Sequence, residues 1–184
     1  MKKIALLIHD LDSEYARSMV EGVTKICKEN DATVYVLPAR SKNYPHLDYD
    51  FQNYMIANFV NEKNFDGAVI ATATQSQYIT DDELFKIMYS YSPMPIVSIG
   101  YMIPNIPSVT VDCHSGIWNL VDHLIVKHGA KRIAFFTVLG SNPEAIARTQ
   151  AFKVAMADHN MEIDESIFFG CDFTYWSRCH YINV

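Results

Sequence analysis

The stretch from residue 111 to residue 156 decides the fold. It reads VDCHSG (111–116), a helical pattern (117–128), GAKR (129–132), the apolar run IAFF (133–136), SNPE (141–144) and a second helical pattern to 156. The order is strand, helix, strand, loop, helix. Asp112 follows the first strand and Arg148 lies one turn inside the second helix, where α/β proteins present charged side chains to ligands.

The rest of the chain repeats this alternation. Short apolar runs predict strands at 3–9, 32–37, 68–71, 96–99, 109–111, 133–136 and 167–169. Strands alternating with helices predict parallel sheets with helices on both faces. Four strands precede an irregular segment at 101–107 and three follow it. We therefore predict an amino-terminal lobe at 1–103, a carboxyl-terminal lobe at 104–184 and a crossover near 101–107.

A set of weak motifs in fixed order carries a family resemblance. The motifs are Asp112-x-x-x-Gly116, His123-Leu124, His128-Gly129-x-Lys131-Arg132-Ile133-Ala134-Phe135 and Arg148-x-x-x-Phe152. The chain resembles the effector-binding domains of LacI/GalR-type regulators. The variant with His128-Gly129 before the basic pair, and Asn142-Pro-Glu-Ala145 before the arginine helix, is similar to sensor domains fused to diguanylate cyclases, histidine kinases or other regulators. The resemblance implies the two-lobed α/β fold of type I periplasmic binding proteins. It also implies a longer second lobe, so we expect that lobe to be incomplete and the chain to be shortened.

Composition excludes several classes of protein. The net charge of −6 disfavours direct contact with nucleic acid, which usually needs a concentrated basic face. The four cysteines form no CxxC pair, so we expect free thiols. The amino-terminal apolar run is shorter than an export signal, and no run is long enough to span a membrane. We therefore expect a cytoplasmic protein.

Ligands of open parallel sheets bind outside the carboxyl ends of the strands. The residues at those positions mix acids, amides, hydroxyls and aromatic rings, which suits a small polar effector such as a sugar or a nucleoside. Each residue also has a purely structural interpretation, as a helix cap, a loop contact or a core side chain. Ser13 suits the N-cap of the first helix, and residues 72–75 suit a polar loop. The predicted ligand-binding residues are Asp10, Asp12, Ser13, Tyr15, Thr72, Thr74, Gln75, Tyr101, Asp112, Arg148, Asp172, Phe173 and Trp176.

The histidines favour neither a metal site nor catalysis. His123 and His128 are five residues apart on a predicted helix, and metal pairs on helices are usually four apart. Cys113 and His114 are adjacent, which does not by itself build a catalytic dyad. We predict no cofactor, no metal and no catalytic residue.

The leading hypothesis is a non-catalytic sensor domain of a transcriptional or signalling regulator. It would bind its effector in the interlobe cleft, form a homodimer and serve an output domain, for which a diguanylate cyclase is one candidate. An alternative is a flavodoxin-like enzyme, although the loop at 10–14 lacks glycine and carries three acids, which disfavours phosphate. Another alternative is a truncated remnant with no intact site.

Overall fold

The structure is a computed structural model that describes residues 1–39, 52, 55–76, 79–138 and 143–171. The chain divides into two compact units, Met1–Thr110 (unit 1) and Val111–Val184 (unit 2). The lobe boundary that the sequence suggested, between 103 and 104, lies seven residues before this division. No helix in these ranges is long and apolar enough to cross a membrane.

Unit 1 is built on a five-stranded parallel sheet. Its elements are β1 (Lys2–Ile8), α1 (Glu14–Glu29), β2 (Ala32–Pro38), a 3-10 helix (Ile56–Phe59), β3 (Gly67–Ile70), α2 (Thr72–Gln75), α3 (Asp81–Tyr89), β4 (Ile96–Ile99) and β5 (Ser108–Val109). The strands lie in the order β2-β1-β3-β4-β5, and every pair is parallel. This arrangement confirms the predicted parallel α/β architecture.

The central strand β1 shows why both faces of this sheet are covered. Its sequence KKIALLI ends in four consecutive buried residues, as expected for a strand with a core on each side. Successive side chains point to opposite faces, so Leu6 and Ile8 pack with Ala16 of α1. Leu7 packs in the other cluster, with Leu84 of α3. Unit 1 therefore has one hydrophobic core on each face of its sheet.

Two local predictions in unit 1 were wrong. The strand expected at 109–111 to open the second half is β5, which pairs with β4 in the first sheet. The N–H of Ser98 donates to the Pro107 carbonyl at 2.9 Å, and the N–H of Gly100 donates to the Val109 carbonyl at 2.8 Å. The expected polar loop at 72–75 is instead the helical turn α2, closed by a 2.9 Å bond from the N–H of Ser76 to the Thr72 carbonyl.

Unit 2 has a smaller sheet. Its described elements are α4 (Cys113–His128), β6 (Phe135–Val138), α5 (Pro143–Asp158), a 3-10 helix (Glu165–Ile167) and β7 (Phe168–Cys171). β6 and β7 are parallel and pair Phe135 with Phe168. The core is centred on Phe152 of α5, whose ring stacks on that of Phe135 with centroids 4.3 Å apart. β6 begins two residues later than predicted, since pairing with β7 begins at Phe135, and Ile133 packs against the core ahead of the paired residues.

Candidate functional site

The loop after β1 is held by hydrogen bonds to its own backbone. Asp10 has a φ of 54°, a left-handed conformation that Asp tolerates better than most residues. Its carbonyl accepts two bonds from Ser13, from the N–H at 3.0 Å and from the hydroxyl at 2.8 Å. The Ser13 oxygen in turn accepts from the N–H of Ala16 at 3.2 Å, which makes Ser13 the N-cap of α1. The predicted capping role of Ser13 is confirmed.

Two carboxylates stand exposed on this fixed loop. Asp10 and Asp12 are both exposed, and within the described ranges neither carboxylate is bonded to another residue. The carbonyl of Asp12 accepts from the Arg17 guanidinium at 2.8 Å, so the backbone is anchored there as well. Tyr15, in the first turn of α1, is 50% exposed. The loop and the first turn of α1 therefore offer acceptors and an aromatic ring on a hydrogen-bonded backbone.

Thr72, the polar residue that follows β3, forms its hydrogen bonds in the interior of unit 1. Thr72 is fully buried, and its hydroxyl donates to the Ile70 carbonyl at 3.1 Å. Its oxygen lies 2.9 Å from the hydroxyl oxygen of Ser98, which donates to the Tyr101 carbonyl at 2.6 Å. These bonds join the carboxyl ends of β3 and β4. Ser98 was not among the predicted residues, although a single serine in the apolar strand IVSI is a signal of a buried polar contact.

Two other residues of α2 also bind neighbouring backbone. The hydroxyl of Thr74 donates to the Ala71 carbonyl at 2.7 Å. The amide of Gln75 donates to the carbonyl of Ala39, the residue that follows β2. Both side chains are partly buried. Their hydrogen bonds fix the loops around the carboxyl end of the sheet.

Tyr101 supplies a neutral hydroxyl at the end of β4. Burial, together with its hydrogen bond to the Asp81 carboxylate, raises the pKa of Tyr101 to about 12. The ring also meets Phe85 edge to face, with centroids 6.5 Å apart. Tyr101 therefore stays protonated at neutral pH and is oriented by α3.

Two of the predicted residues, Asp112 and Arg148, belong to unit 2. Asp112 is the N-cap of α4, and hydrogen bonds from the backbone and hydroxyl of Ser115 lower the pKa of its carboxyl. Arg148, on α5, forms an ion pair with Glu144 at 2.7 Å, and its side chain remains 38% exposed. Asp172, Phe173 and Trp176 lie outside the described residues.

Eight of the predicted residues follow strands of the sheet in unit 1. They are Asp10, Asp12, Ser13, Tyr15, Thr72, Thr74, Gln75 and Tyr101. Four of them form hydrogen bonds with neighbouring backbone or side chains, namely Ser13, Thr72, Thr74 and Gln75. Asp10, Asp12 and Tyr15 expose the most side chain, so the ligand-binding prediction depends chiefly on them.

A cavity in unit 2 lies near the amino ends of its strands, β6 and β7. It has a volume of about 880 Å³ and is lined by Ile125, residues 129–132 and residues 160–165. These segments precede β6 and β7, whereas open parallel sheets bind ligands beyond the carboxyl ends. Arg132 and Asp164 of its wall are bonded to each other at 2.6 Å. The carboxyl ends of the strands therefore stay the predicted position of the ligand, and this cavity is not part of that prediction.

Comparisons with known proteins agree with this fold. The sequence profile of the family "Periplasmic binding proteins and sugar binding domain of LacI family" matches residues 1–173. The catabolite control protein A of Staphylococcus xylosus is 26% identical over 180 residues, which are 94% of this chain and 49% of that protein. This chain therefore spans about half the length of that curated relative.

Solved structures show the same architecture. The transcriptional regulator CelR in complex with cellobiose superimposes with a TM-score of 0.76 and 21% identity, over 100% of this chain and 54% of that chain. The transcriptional repressor ascG of Escherichia coli gives 0.71 and 18%, over 100% of this chain and 64% of its own. At these identities the likeness concerns the fold. Because the family profile covers nearly the whole sequence, this chain belongs to the family of periplasmic binding proteins and LacI-type sugar-binding domains.

Proposed function

We propose that this chain is the effector-binding part of a transcriptional regulator and that its effector is a small sugar. The observation that carries the proposal is the loop after β1, where the carboxylates of Asp10 and Asp12 stay exposed on a backbone fixed by the Ser13 cap. Carboxylate oxygens accept hydrogen bonds from sugar hydroxyls, and such charge-assisted bonds are stronger than neutral ones.

One aromatic ring and one guanidinium group support the same ligand class. Tyr15, three residues after Asp12, offers a half-exposed ring, and an aromatic face packs well on the apolar face of a sugar ring. In unit 2, and within the described residues, Arg148 bonds Glu144 through one guanidinium nitrogen, and its other N–H groups are donors of the kind that sugar hydroxyls accept from. Structures of a LacI-family regulator from Lactobacillus casei carry glucose or sucrose, and the CelR structure carries cellobiose.

The wider biology follows from the relatives and is part of the proposal. The proteins named above are transcription regulators, which favours a DNA-binding partner domain over a diguanylate cyclase as the output. We propose a cytoplasmic location and a homodimer. Binding would regulate an output only if the sugar prefers one of two conformations of the regulator.

Thermal denaturation with mono- and disaccharides tests the proposal. A ligand that binds only the native state stabilises the protein in proportion to the logarithm of its concentration over Kd. We expect one sugar, from a panel that includes glucose, sucrose and cellobiose, to raise the melting temperature in a dose-dependent way. Light scattering on the same sample gives the oligomeric state.

A substitution in the loop after β1 tests whether its carboxylates bind the sugar. Asp10→Asn keeps a residue that tolerates the left-handed backbone and removes only the charge. The neutral amide oxygen still accepts hydrogen bonds, but the bonds lose their charge-assisted part of about 1–1.5 kcal/mol, so affinity should fall roughly five- to tenfold. The matched control is Glu29→Gln, at the opposite end of α1. Equal affinities for both variants, or no response to any sugar, would refute the proposal.

A further inference from the structure

Two histidine rings meet at the carboxyl end of α4. His123 and His128 are both exposed, and their Nε2 atoms lie 3.1 Å apart. The ring centroids are 4.9 Å apart and the ring planes are inclined by 67°. The sequence argued against a metal pair because the two residues are five apart, but the structure brings their nitrogens together.

The end of the helix explains the contact. Helical side chains lean toward the amino terminus, so the ring of His128, the last residue of α4, reaches back over the preceding turn. Gly129, with a φ of 64°, then ends the helix, and its N–H donates to the Ile125 carbonyl at 3.0 Å. The pair is therefore set by a fixed helix terminus.

The distance between the nitrogens fits two ligands of one metal ion. With bonds of about 2.05 Å to a shared ion, nitrogens at this separation subtend an angle of about 100°, close to tetrahedral. If both rings point at the ion, their centroids lie about 4.8 Å apart, whereas two rings aligned head to head along one hydrogen bond place them about 5.4 Å apart. The observed 4.9 Å agrees with rings that converge on a common point.

We propose that His123 and His128 form a binding site for a divalent transition-metal ion of the kind that prefers imidazole, namely Cu²⁺, Ni²⁺ or Zn²⁺. Imidazole nitrogen suits these ions, while Mg²⁺ and Ca²⁺ prefer oxygen. Within the described ranges no group of three or more His, Cys, Asp or Glu residues is placed to hold a metal. Water would fill the remaining coordination positions, so the site is open to an external ligand.

Calorimetric titration of the 184-residue chain, prepared without a histidine tag, with Ni²⁺ tests this proposal. We expect one ion per chain. Replacing a ligand should weaken binding at least roughly tenfold, because losing even an outer partner of a metal-bound histidine costs about 10–100-fold. His123→Gln and His128→Gln should each show this loss, and both exposed positions should tolerate the change without loss of helical circular dichroism.

His114→Gln is the matched control, since His114 is an exposed histidine on the same helix, near its other end. It should bind Ni²⁺ as the parent chain does. Electron paramagnetic resonance of the Cu²⁺ complex should show coupling to two nitrogens in the parent and to one in either ligand variant. Parent-like affinity in both ligand variants, or an equal loss in His114→Gln, would overturn the proposal, and so would absence of Ni²⁺ binding. The result does not depend on sugar binding.

Discussion

Replacing Phe152 with alanine probes the core that supports unit 2. The side chain is 1% exposed and its ring stacks on that of Phe135. The centroid of the same ring lies 6.2 Å from the ring centroid of Phe168. The variant removes the whole phenyl ring from a fully buried position. Such changes cost about 3–5 kcal/mol through lost burial and the cavity left behind.

Phe136→Ala is the matched control from the adjacent position of β6. Phe136 is 49% exposed and contacts Phe169, with centroids 4.9 Å apart. It buries about half of its side chain, so its replacement should cost about 1 kcal/mol, with no enclosed cavity. The pair therefore separates the effect of core packing from that of losing any phenylalanine.

Urea denaturation followed by tryptophan fluorescence measures both variants. Both tryptophans of the chain, Trp118 and Trp176, belong to unit 2. With a loss of about 4 kcal/mol and a slope of about 2 kcal/mol per molar urea, Phe152→Ala should lower the midpoint by about 2 M. Phe152→Leu provides a milder step if the alanine variant does not fold. Equal midpoints for Phe152→Ala and Phe136→Ala would refute the assignment of the core.

Three further predictions concern unit 1. Ser98→Ala removes a buried hydroxyl and leaves the Tyr101 carbonyl unsatisfied, so it should destabilise the protein by about 1–3 kcal/mol in urea, while the exposed Ser90→Ala should change little. Thr80→Ala removes the capping box of α3 and should cost about 0.5–2 kcal/mol by circular dichroism. Tyr101 should titrate near pH 12 in ultraviolet absorbance, and Asp81→Asn should lower that pKa only in part, because burial is the larger cause. Since the folded-state pKa of Tyr101 is raised, its contribution to stability is full below about pH 10 and is lost as the pH rises toward 12.

The sequence predicted the architecture because strand burial and helix capping are local signals. The apolar run of β1 and the serine before α1 both identify their elements without knowledge of the rest of the chain. The two-residue strand β5 could not be assigned to its sheet in this way. Its place beside β4 depends on hydrogen bonds to Ser98 and Gly100, which only the folded chain brings together.

Side-chain roles at the candidate site were harder to predict for the same reason. Thr72 and Gln75 occupy the expected end of the sheet, but whether their polar groups face a ligand or neighbouring backbone depends on tertiary contacts. The contact between His123 and His128 was missed because spacing rules assume a regular helix. Here the second histidine is the last residue of α4, just before the glycine that ends the helix.

The most direct test of the central claim is to map amide chemical shifts in a two-dimensional NMR spectrum while the best sugar from the thermal screen is added. We expect the largest changes in the loop after β1, at Asp10–Tyr15, with smaller ones around α2, because the carboxyl end of the sheet presents the exposed carboxylates. Changes concentrated at 129–132 and 160–165, around the cavity before β6 and β7, would contradict the account.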